Sequence, residues 1–389
     1  MEKKKISAKI VADSKDHRGN RITTFVLTYP RFIHAELMTH RMFSRNAASS
    51  RAIPFKKMVE DIENDPFIPI AWQKDHKGMQ GVEYITDPVK IDDCVGTWLL
   101  ARNKAIREAK DLNNLHGVTK QLCNRLLEPF QWYTCLVTAT EFDNFYELRC
   151  PKFVNEHEEG EDISFSRKDF IKKLKERYPT NWEIELKDFF GIENNTNEEW
   201  FSLSESGAEI HIQALAEAMW DARNESIPNQ LEAGEWHIPF GDRFDNDGGK
   251  FIKYLESIWK NKQAPTNGNI QKRVKIATAK CARLSYMTFD GEIDYEKDVK
   301  LHDQLLESKH FSPFEHCARA MGEKEYYSFV KGTIPTQIDE YGITNLEMMP
   351  FSSGHPIVGF TGLNPTNGDK YGWCNNFKGF MQYRYLIEK

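Results

Sequence analysis

The chain has 389 residues, of which 40% are hydrophobic and 12% aromatic, so it can form a large packed core. Its formal net charge of -6 argues against the broad basic surface of a nucleic-acid-binding protein, and we expect no nucleic-acid partner. The opening MEKKKISAKI lacks the apolar run of a signal peptide, and no uninterrupted apolar run is long enough to cross a bilayer. We therefore expect a cytoplasmic protein without a membrane partner.

The cysteines indicate neither a disulfide framework nor a zinc site. There are seven of them, an odd number, scattered along the chain and never in CxxC spacing. We interpret them as reduced thiols and expect no metal site.

Residues 22–37, ITTFVLTYPRFIHAEL, begin with β-branched and aromatic residues and turn at Pro30, which predicts a strand followed by a helix. Residues 39–51, THRMFSRNAASSR, come next and contain three arginines, a histidine and three serines but no carboxylate. Arginine forks and serine hydroxyls are donors that suit phosphate or carboxylate. We call residues 39–51 the Arg-rich loop and interpret it as an anion site, although a solvated basic loop has the same composition.

Two helices are predicted next, over residues 91–115 and 119–128. Arg125 lies on the second helix and shares one side of it with the apolar residues Val118, Leu122 and Leu126. A cation beside a buried face needs an anion. The partner is either an internal carboxylate or a ligand.

A buried strand is predicted over residues 132–137, where the chain is aromatic and β-branched. Residues 138–141, TATE, match a capping box that opens a short helix with its two phenylalanines inward and with Asn144 and Arg149 near its end. Junctions between strands and helices commonly present groups to ligands.

The region from about 151 to 203 is charged and irregular in sequence, and we interpret it as an acidic insertion at the surface. Residues 206–209, SGAE, match a second capping box. It would open an amphipathic helix whose stripe of Ile212, Leu215 and Met219 belongs to the core.

The polar stretch 261–270 is the best candidate for a linker, and it divides the chain into parts 1–260 and 271–389. Within the second part, residues 274–285 predict a strand and residues 298–309 predict a helix. The segment HFSPFEH at 310–316 then predicts an extended turn that gathers two histidines, a serine and a carboxylate. Its spacing fits no standard metal-ligand pattern.

No glycine-rich phosphate loop of the Rossmann or P-loop type follows a strand, so a nucleotide would be held differently. The Arg-rich loop instead resembles the signature of the flavin-dependent thymidylate synthases. That signature is Arg-His-Arg, seven residues, Ser, and an Arg two residues on. Here it reads Thr39-His40-Arg41, seven residues, Ser49, and Arg51.

Further blocks of the chain resemble the same family. They are Arg125 four residues before Pro129, the pair Asn144 and Arg149, a helix beginning near Ala208, the run ARLS at 282–285, and HFSPFEH at 310–316. In the family the last two blocks precede the Arg-rich loop, whereas here they follow it. The chain therefore resembles a permuted or divergent branch, which is reasonable where termini lie close together.

The resemblance implies an α+β fold with a mixed sheet and long helices, in which both parts of the chain form one interwoven catalytic unit. It also implies methylation of dUMP to dTMP with FAD, NADPH and methylenetetrahydrofolate, in a homo-oligomer, most simply a tetramer. The implied flavin contacts are His40, Arg41, Asn144, Ser285, His310, Ser312 and Glu315. The implied nucleotide contacts are Glu36, Ser49, Arg51, Arg125 and Arg149, with Ser49 and Arg149 catalytic.

No protein nucleophile is needed in such a reaction, since the flavin supplies the reducing equivalents. A cysteine-dependent thymidylate synthase would need an activated thiol, and Cys150 is the one candidate. Nothing else around it resembles that family.

Three positions depart from the family: Thr39 replaces an arginine, Ala47 a glutamate and Glu36 a glutamine. A carboxylate at Glu36 could accept from the amine of cytosine, which would favour dCMP. Alternatively, Glu36 pairs with an arginine, or Gln382 and Arg384 from the tail fill the changed positions. A different C5-modified product, such as a hydroxymethyl nucleotide, and a catalytically silent nucleotide- or flavin-binding protein remain alternatives.

Overall fold

The computed structural model describes residues 3–78, 81–157, 160–259, 266–284, 293–329 and 371–388. The strands are β1 (Ser7–Asp16), β2 (Arg21–Pro30), β3 (Ser44–Ala47), β4 (Trp132–Ala139), β5 (Phe153–His157), β6 (Gly160–Ser164), β7 (Asn229–Leu231), β8 (Trp236–His237), β9 (Ala318–Ala320), β10 (Trp373–Cys374), β11 (Phe377–Lys378) and β12 (Phe380–Gln382).

The α-helices are α1 (His34–Met38), α2 (Phe55–Asn64), α3 (Pro88–Asn114), α4 (Lys120–Cys123), α5 (Asp143–Arg149), α6 (Arg167–Arg177), α7 (Trp182–Ile184), α8 (Asn197–Leu203), α9 (Ile210–Glu225), α10 (Asp242–Asp245), α11 (Lys250–Trp259), α12 (Thr266–Arg283), α13 (Tyr295–Glu307), α14 (Glu323–Ser328) and α15 (Tyr383–Ile387). Segments of 3₁₀-helix span Arg31–Ile33, Asn124–Phe130 and Ser312–Glu315, and a π-helical turn spans Glu185–Phe189.

The central sheet has the strand order β3-β4-β2-β1-β7. Neighbouring strands are antiparallel except β1 and β7, which are parallel, so the sheet is mixed. The strands predicted over the start of 22–37 and over 132–137 are confirmed as β2 and β4, and the long helix predicted at 91–115 is confirmed as α3. The described residues thus form the predicted α+β fold with a mixed sheet.

The two faces of this sheet have different neighbours, because side chains alternate along each strand. Phe25 and Leu27 of β2 pack in one core cluster with Leu215 and Met219 of α9, which confirms the predicted stripe of that helix. The opposite face includes Leu136 of β4 and packs against the end of α12. Residues from the second part of the chain therefore help to cover this side of the sheet, together with Phe240 from the first part.

The C-terminal tail packs beside this covered face. Strand β12 pairs with β9, and β9 pairs with β8, in a small antiparallel sheet. Gly379, between β11 and β12, has φ of +79°, and a Cβ atom there would lie 2.5 Å from a carboxylate oxygen of Asp16. Only glycine fits both the left-handed backbone and this close approach.

Residues 274–285 were expected to form a strand, but residues up to Arg283 lie in helix α12. The β-branched residues Val274 and Ile276 favoured a strand, whereas the alanines and lysines around them favour a helix, and burial against α13 decides between the two. Of the predicted linker 261–270, residues 266–270 form the first turns of α12, and residues 261–265 lie outside the described residues.

The helix predicted over residues 119–128, which carries Arg125, is shorter than expected. It is α4 followed by 3₁₀-helix through Phe130. Leu122 and Leu126 are 63% and 42% exposed, so the side shared with Arg125 faces outward and the predicted buried face is wrong. The buried face carries Cys123 and Leu127 instead.

Both predicted capping boxes are wrong. Thr138 is a residue of β4, and α5 begins at Asp143 without a side-chain cap. At α9 the capping residue is Glu209, whose carboxylate accepts from the backbone N–H groups of His211 and Ile212. The inward positions predicted for Phe142 and Phe145 are confirmed, since each is 1% exposed.

The region 151–203 is not irregular. It forms the hairpin β5–β6 and helices α6 to α8 around a small core that includes Phe153, Phe170 and Trp200. Helix α13 spans Tyr295–Glu307, close to the predicted 298–309, but its buried residues include the polar Asp298 and His302. Residues 312–315 form a 3₁₀-helix, where an extended turn was expected.

Candidate functional site around strand β3

Strand β3, in the middle of the Arg-rich loop, contacts two different regions through alternate residues. It pairs with β4 in the register Ser44 with Thr138 and Asn46 with Leu136, so Ser44 and Asn46 face the covered side of the sheet. Asn46 donates from its side-chain nitrogen to the carbonyl of Cys281 in α12. Arg45, between them, faces the other way.

The Arg45 side chain supports the first half of the Arg-rich loop. One guanidinium nitrogen, Nη1, donates to the carbonyl oxygens of Leu37, Met38 and His40, each at 3.1 Å. The backbone carbonyl of Arg45 accepts from Ser312 Oγ at 3.4 Å. One of the three arginines in this loop is therefore structural, and it connects the Arg-rich loop to the HFSPFEH segment.

His40 and Arg149 lie in direct contact. Arg149 Nε donates to His40 Nε2 at 3.1 Å, and Arg149 Nη2 donates to Thr39 Oγ1 at 3.5 Å. Burial, and then the charges of Arg149 and Arg45, lower the pKa of His40 to about 4. His40 is therefore a neutral acceptor near pH 7.

Glu36 lies in the same cluster. Its Oε2 is 3.4 Å from Arg149 Nη1, so Glu36 pairs with an arginine, which is one of the alternatives raised by the sequence. Burial, followed by the nearby Glu209 carboxylate, raises the pKa of Glu36, although Arg149 acts in the opposite direction.

Arg125 lies at the other end of the loop. It donates to Glu128 Oε1 at 2.8 Å, and Ser50 Oγ donates to the same oxygen at 2.9 Å. Arg125 is thus beside the predicted nucleotide contacts Ser49 and Arg51, but its described partner is an internal carboxylate. Asn124, which sequence reasoning missed, donates to the carbonyls of Ser50 and Ile53 and shapes this end of the loop.

Arg41 and Arg51 are exposed and have no hydrogen-bonding or ionic partner among the described residues. Ser49 is partly buried, and its backbone carbonyl accepts from the N–H groups of Ala52 and Ile53. Its hydroxyl has no partner within the described part of the chain. Two cations and a hydroxyl along the loop are therefore available to an anion.

The tail reaches β3 from the covered side of the sheet. Gln382, 1% exposed, donates to Ser44 Oγ at 3.2 Å, and Asn376 donates to the same oxygen at 3.0 Å. Arg384 pairs with Glu315 at 2.6 Å. Tail residues therefore do approach the loop, but among the described contacts they meet Ser44 and Glu315, not Glu36.

A chain of hydrogen bonds crosses the sheet beneath the loop. His316 Nδ1 bonds to Thr138 Oγ1 at 2.8 Å, Thr138 to Thr24 at 2.8 Å, Thr24 to His237 Nε2 at 2.8 Å, and His237 Nδ1 to Ser14 at 3.0 Å. All five side chains are buried, and burial lowers the pKa of His316 to about 3 and that of His237 to about 4. We call this set the buried chain. Nε2 of His316 is buried without a partner among the described residues.

Several predicted residues are not brought into these contacts. His310 and Asn144 are exposed, and their side chains have no hydrogen-bonding partner in the ranges that the structure describes. Ser285 lies outside the described residues. His310 and His316, grouped by the sequence, separate into an exposed and a fully buried residue. Cys150 is buried, and burial raises the pKa of its thiol well above the ordinary value, so the structure does not favour it as a nucleophile.

An open groove of about 440 Å³ lies elsewhere, beside α13 and Tyr254 of α11. It is lined by Glu296, Asp303 and Glu307 with Lys300 and includes none of the predicted site residues. Its carboxylates would repel a nucleotide dianion.

Across the described ranges, no group of three or more His, Cys, Asp or Glu side chains is arranged to hold a metal ion. None of the described helices is both long and apolar enough to cross a membrane.

No protein-family model matches this chain, and no curated protein matches it. Among solved structures, it is similar to a UMP/dUMP methylase, PolB from Streptomyces cacaoi, bound with 5-Br dUMP, with 17% identity and a TM-score of 0.29 over 42% of this chain and 66% of that chain. For PolB bound with 5-Br UMP, the sequence identity is 16% and the TM-score is 0.32, over 49% of this chain and 96% of that chain. The match thus spans just under two thirds of the first PolB chain, and TM-scores this low do not show a shared fold.

The arrangement around β3 can bind an anion next to neutral hydrogen-bonding groups. Arg149 is oriented by His40 and Thr39. Arg41 and Arg51 are cations without a described ionic partner. His40 can accept a hydrogen bond, and Ser49 can donate or accept one. The described residues thus supply phosphate-binding and positioning chemistry.

Proposed function

We propose that this protein is a flavin-dependent enzyme that methylates C5 of dUMP to give dTMP. The overall reaction converts dUMP, methylenetetrahydrofolate, NADPH and a proton into dTMP, tetrahydrofolate and NADP⁺. Catalysis would consist mainly of binding, orienting and polarising the pyrimidine.

One observation carries this proposal: motif blocks that are far apart in the sequence meet at β3. Ser312 of the HFSPFEH segment donates to the backbone of Arg45, which is 267 residues away in the chain. The permuted order seen in the sequence is thus compatible with one composite site. A chance match of isolated motifs gives no reason for them to come into contact.

The nucleotide part of the proposal rests on the charges along the loop. Arg51 and Arg149 would bind the phosphate and nearby groups, with Arg125 close by, and Ser49 would position the nucleotide. A nucleoside monophosphate is close to a dianion at neutral pH, and bidentate arginine contacts match its oxygens.

The residues of the site also fit a flavin dinucleotide. Arg41 is an exposed cation without a described partner and suits a diphosphate, while the neutral His40, Ser312 and Asn144 offer uncharged polar contacts. When bound, a reduced flavin supplies the hydride equivalent for methyl formation. The protein residues would hold it and keep water from the reacting carbon. We further propose that the enzyme acts as a homo-oligomer, most simply a tetramer.

Product analysis tests the proposal. Purified protein is incubated with FAD, NADPH, methylenetetrahydrofolate and either dUMP or dCMP, and products are separated and weighed by mass spectrometry. We expect dTMP from dUMP. A hydroxymethyl product, or turnover of dCMP alone, would contradict the proposed reaction, and no binding of FAD or nucleotide would contradict the whole assignment.

A pair of arginine variants tests the flavin part. We expect Arg41→Ala to raise the Kd for FAD roughly tenfold, since a charge-assisted contact contributes about 1.5–3 kcal/mol. Arg107→Ala is the matched control, because Arg107 is an exposed arginine on α3 that pairs with Glu108. His310→Ala should also weaken FAD binding. Unchanged FAD affinity in both site variants would remove these residues from the flavin site.

A further inference from the structure

The guanidinium of Arg149 has a carboxylate of the same chain beside it. Its Nη1 is 3.4 Å from Glu36 Oε2, and the two side chains are only 22% and 34% exposed. Water therefore screens this pair less than a fully exposed one. Any anion that binds to this edge of Arg149 has to replace Glu36.

Glu36 does not set the direction of the guanidinium by itself. Arg149 Nε donates to His40 and Nη2 donates to Thr39, and both acceptors follow α1. Removing the Glu36 carboxylate therefore leaves Arg149 with two of its three contacts. The edge that carries Nη1 would be open to another anion.

A second arginine–carboxylate pair at the same loop is held more firmly. Glu128 accepts from Arg125 at 2.8 Å and from Ser50 at 2.9 Å, so one carboxylate oxygen has two close donors. Glu36 has a single, longer described contact to a cation. Of the two carboxylates, Glu36 is the easier one to displace.

The electrostatic surroundings of Glu36 point the same way. Burial and the neighbouring Glu209 carboxylate both disfavour its charged form. A phosphate has more charge and more acceptor oxygens than this carboxylate and can contact a guanidinium at two points. Exchange of Glu36 for phosphate therefore improves the contacts of Arg149.

We propose that Glu36 competes with the ligand phosphate for Arg149: it pairs with Arg149 until a nucleotide binds and is then displaced. This inference rests on the proposed function only for the identity of that ligand. The competition raises the Kd of every anion that uses Arg149 by one common factor. Small anions with no other contact are then bound more weakly, whereas a nucleotide has its base and sugar contacts as well.

The test measures Kd by calorimetry for dUMP, deoxyuridine and inorganic phosphate, in the parent and in Glu36→Gln. We expect dUMP and phosphate to bind roughly three- to tenfold more tightly to the variant, and deoxyuridine to bind equally to both. Glu147→Gln is the matched control, because Glu147 lies on α5 with Arg149 but pairs with Lys152. It makes the same change in net charge and should alter none of the three constants.

Glu36→Asp is a second variant, since a carboxylate shortened by one methylene should compete less well and shift both anions in the same direction by a smaller factor. Unchanged or weaker dUMP binding in Glu36→Gln would overturn the competition, as would equal tightening in Glu147→Gln. No phosphate binding to either the parent or Glu36→Gln would also overturn it. Tighter phosphate binding in Glu36→Gln, with no dUMP binding to any variant, would support the competition and contradict the proposed function instead.

Discussion

Two sets of polar side chains lie close to β3, and they differ in charge and in saturation. The buried chain from His316 to Ser14 consists of neutral groups, each bonded to a neighbour in the chain. The Arg-rich loop carries three arginines, and two of them, Arg41 and Arg51, are exposed and have no described partner. Burial favours polar groups that are neutral and hydrogen-bonded, and the buried chain meets both conditions except at His316 Nε2. The buried chain therefore stabilises the fold, whereas unpaired cations at the surface can bind a ligand.

The strongest test of this difference is acidification, which should lower the free energy of unfolding through the buried chain. The pKa values of His316 and His237 are lowered to about 3 and about 4 in the folded protein, while an unfolded histidine titrates near about 6.5. Between these values the unfolded state binds more protons, so stability is fully present above about pH 6.5 and is lost as the pH falls. We expect the free energy of unfolding to drop by about 1.4 kcal/mol per pH unit for each of the two histidines.

Urea unfolding at a series of pH values measures this slope. In His316→Gln, the slope of the unfolding free energy between about pH 6 and pH 4 should be smaller by the contribution of one histidine, about 1.4 kcal/mol per pH unit. His116→Gln is the control, because His116 is exposed, and the slope should not change. An unchanged slope in His316→Gln would mean that His316 is not held neutral inside the folded protein.

The next largest effect should come from Arg149. Replacing it with alanine removes a charged contact to the ligand, and the Kd for dUMP should rise roughly ten- to a hundredfold, or about 1.5–3 kcal/mol. Deoxyuridine should be much less affected. Equal losses for dUMP and deoxyuridine would place Arg149 in a structural role like that of the buried chain.

Thr24→Val should break the buried chain in the middle. It would leave Thr138 and His237 each short of one hydrogen bond, and we expect a loss of about 1–3 kcal/mol of stability. Thr28→Val is the matched control on the same strand, because Thr28 is less buried and its hydroxyl has no partner among the described residues. Equal effects of the two substitutions on urea unfolding would argue against the importance of the chain.

The smallest expected effect concerns the choice of base. Glu36 pairs with Arg149, so we expect Glu36→Gln to leave the ratio of kcat/KM for dUMP and dCMP unchanged. A shift toward dUMP in the variant would indicate that Glu36 reads the base.

Two of the five strands of the central sheet, β2 and β4, could be predicted from the sequence, because both are rich in β-branched and aromatic residues. Helix α12 was missed, since Val274 and Ile276 favour a strand locally and only burial between the sheet and α13 makes the helix preferable. Thr138 resembled a helix cap, but its hydroxyl belongs to a contact across the sheet. Local patterns carry no information about partners that are distant in the chain.

The candidate site shows the same division. The positive charge of the Arg-rich loop can be read from neighbouring residues in the sequence. That His40 and Arg149 belong to one site was implied only by the resemblance to the family. The roles of Asn376 and Gln382 at Ser44 depend on the tail returning across more than three hundred residues. The carboxylate partner of Arg125 could have been suspected from Glu128 three residues on, since such spacing allows pairing in a helix.

The attachment of Arg45 to three carbonyl groups has a consequence for binding kinetics. Because these hydrogen bonds form within the protein, the conformational entropy of the first half of the loop is lost on folding and not on binding. A nucleotide would therefore meet a loop backbone that already has its shape in this half, and only the Glu36 side chain would have to move. In stopped-flow mixing, the observed association rate should rise linearly with nucleotide concentration, without the plateau that a slow loop closure would impose.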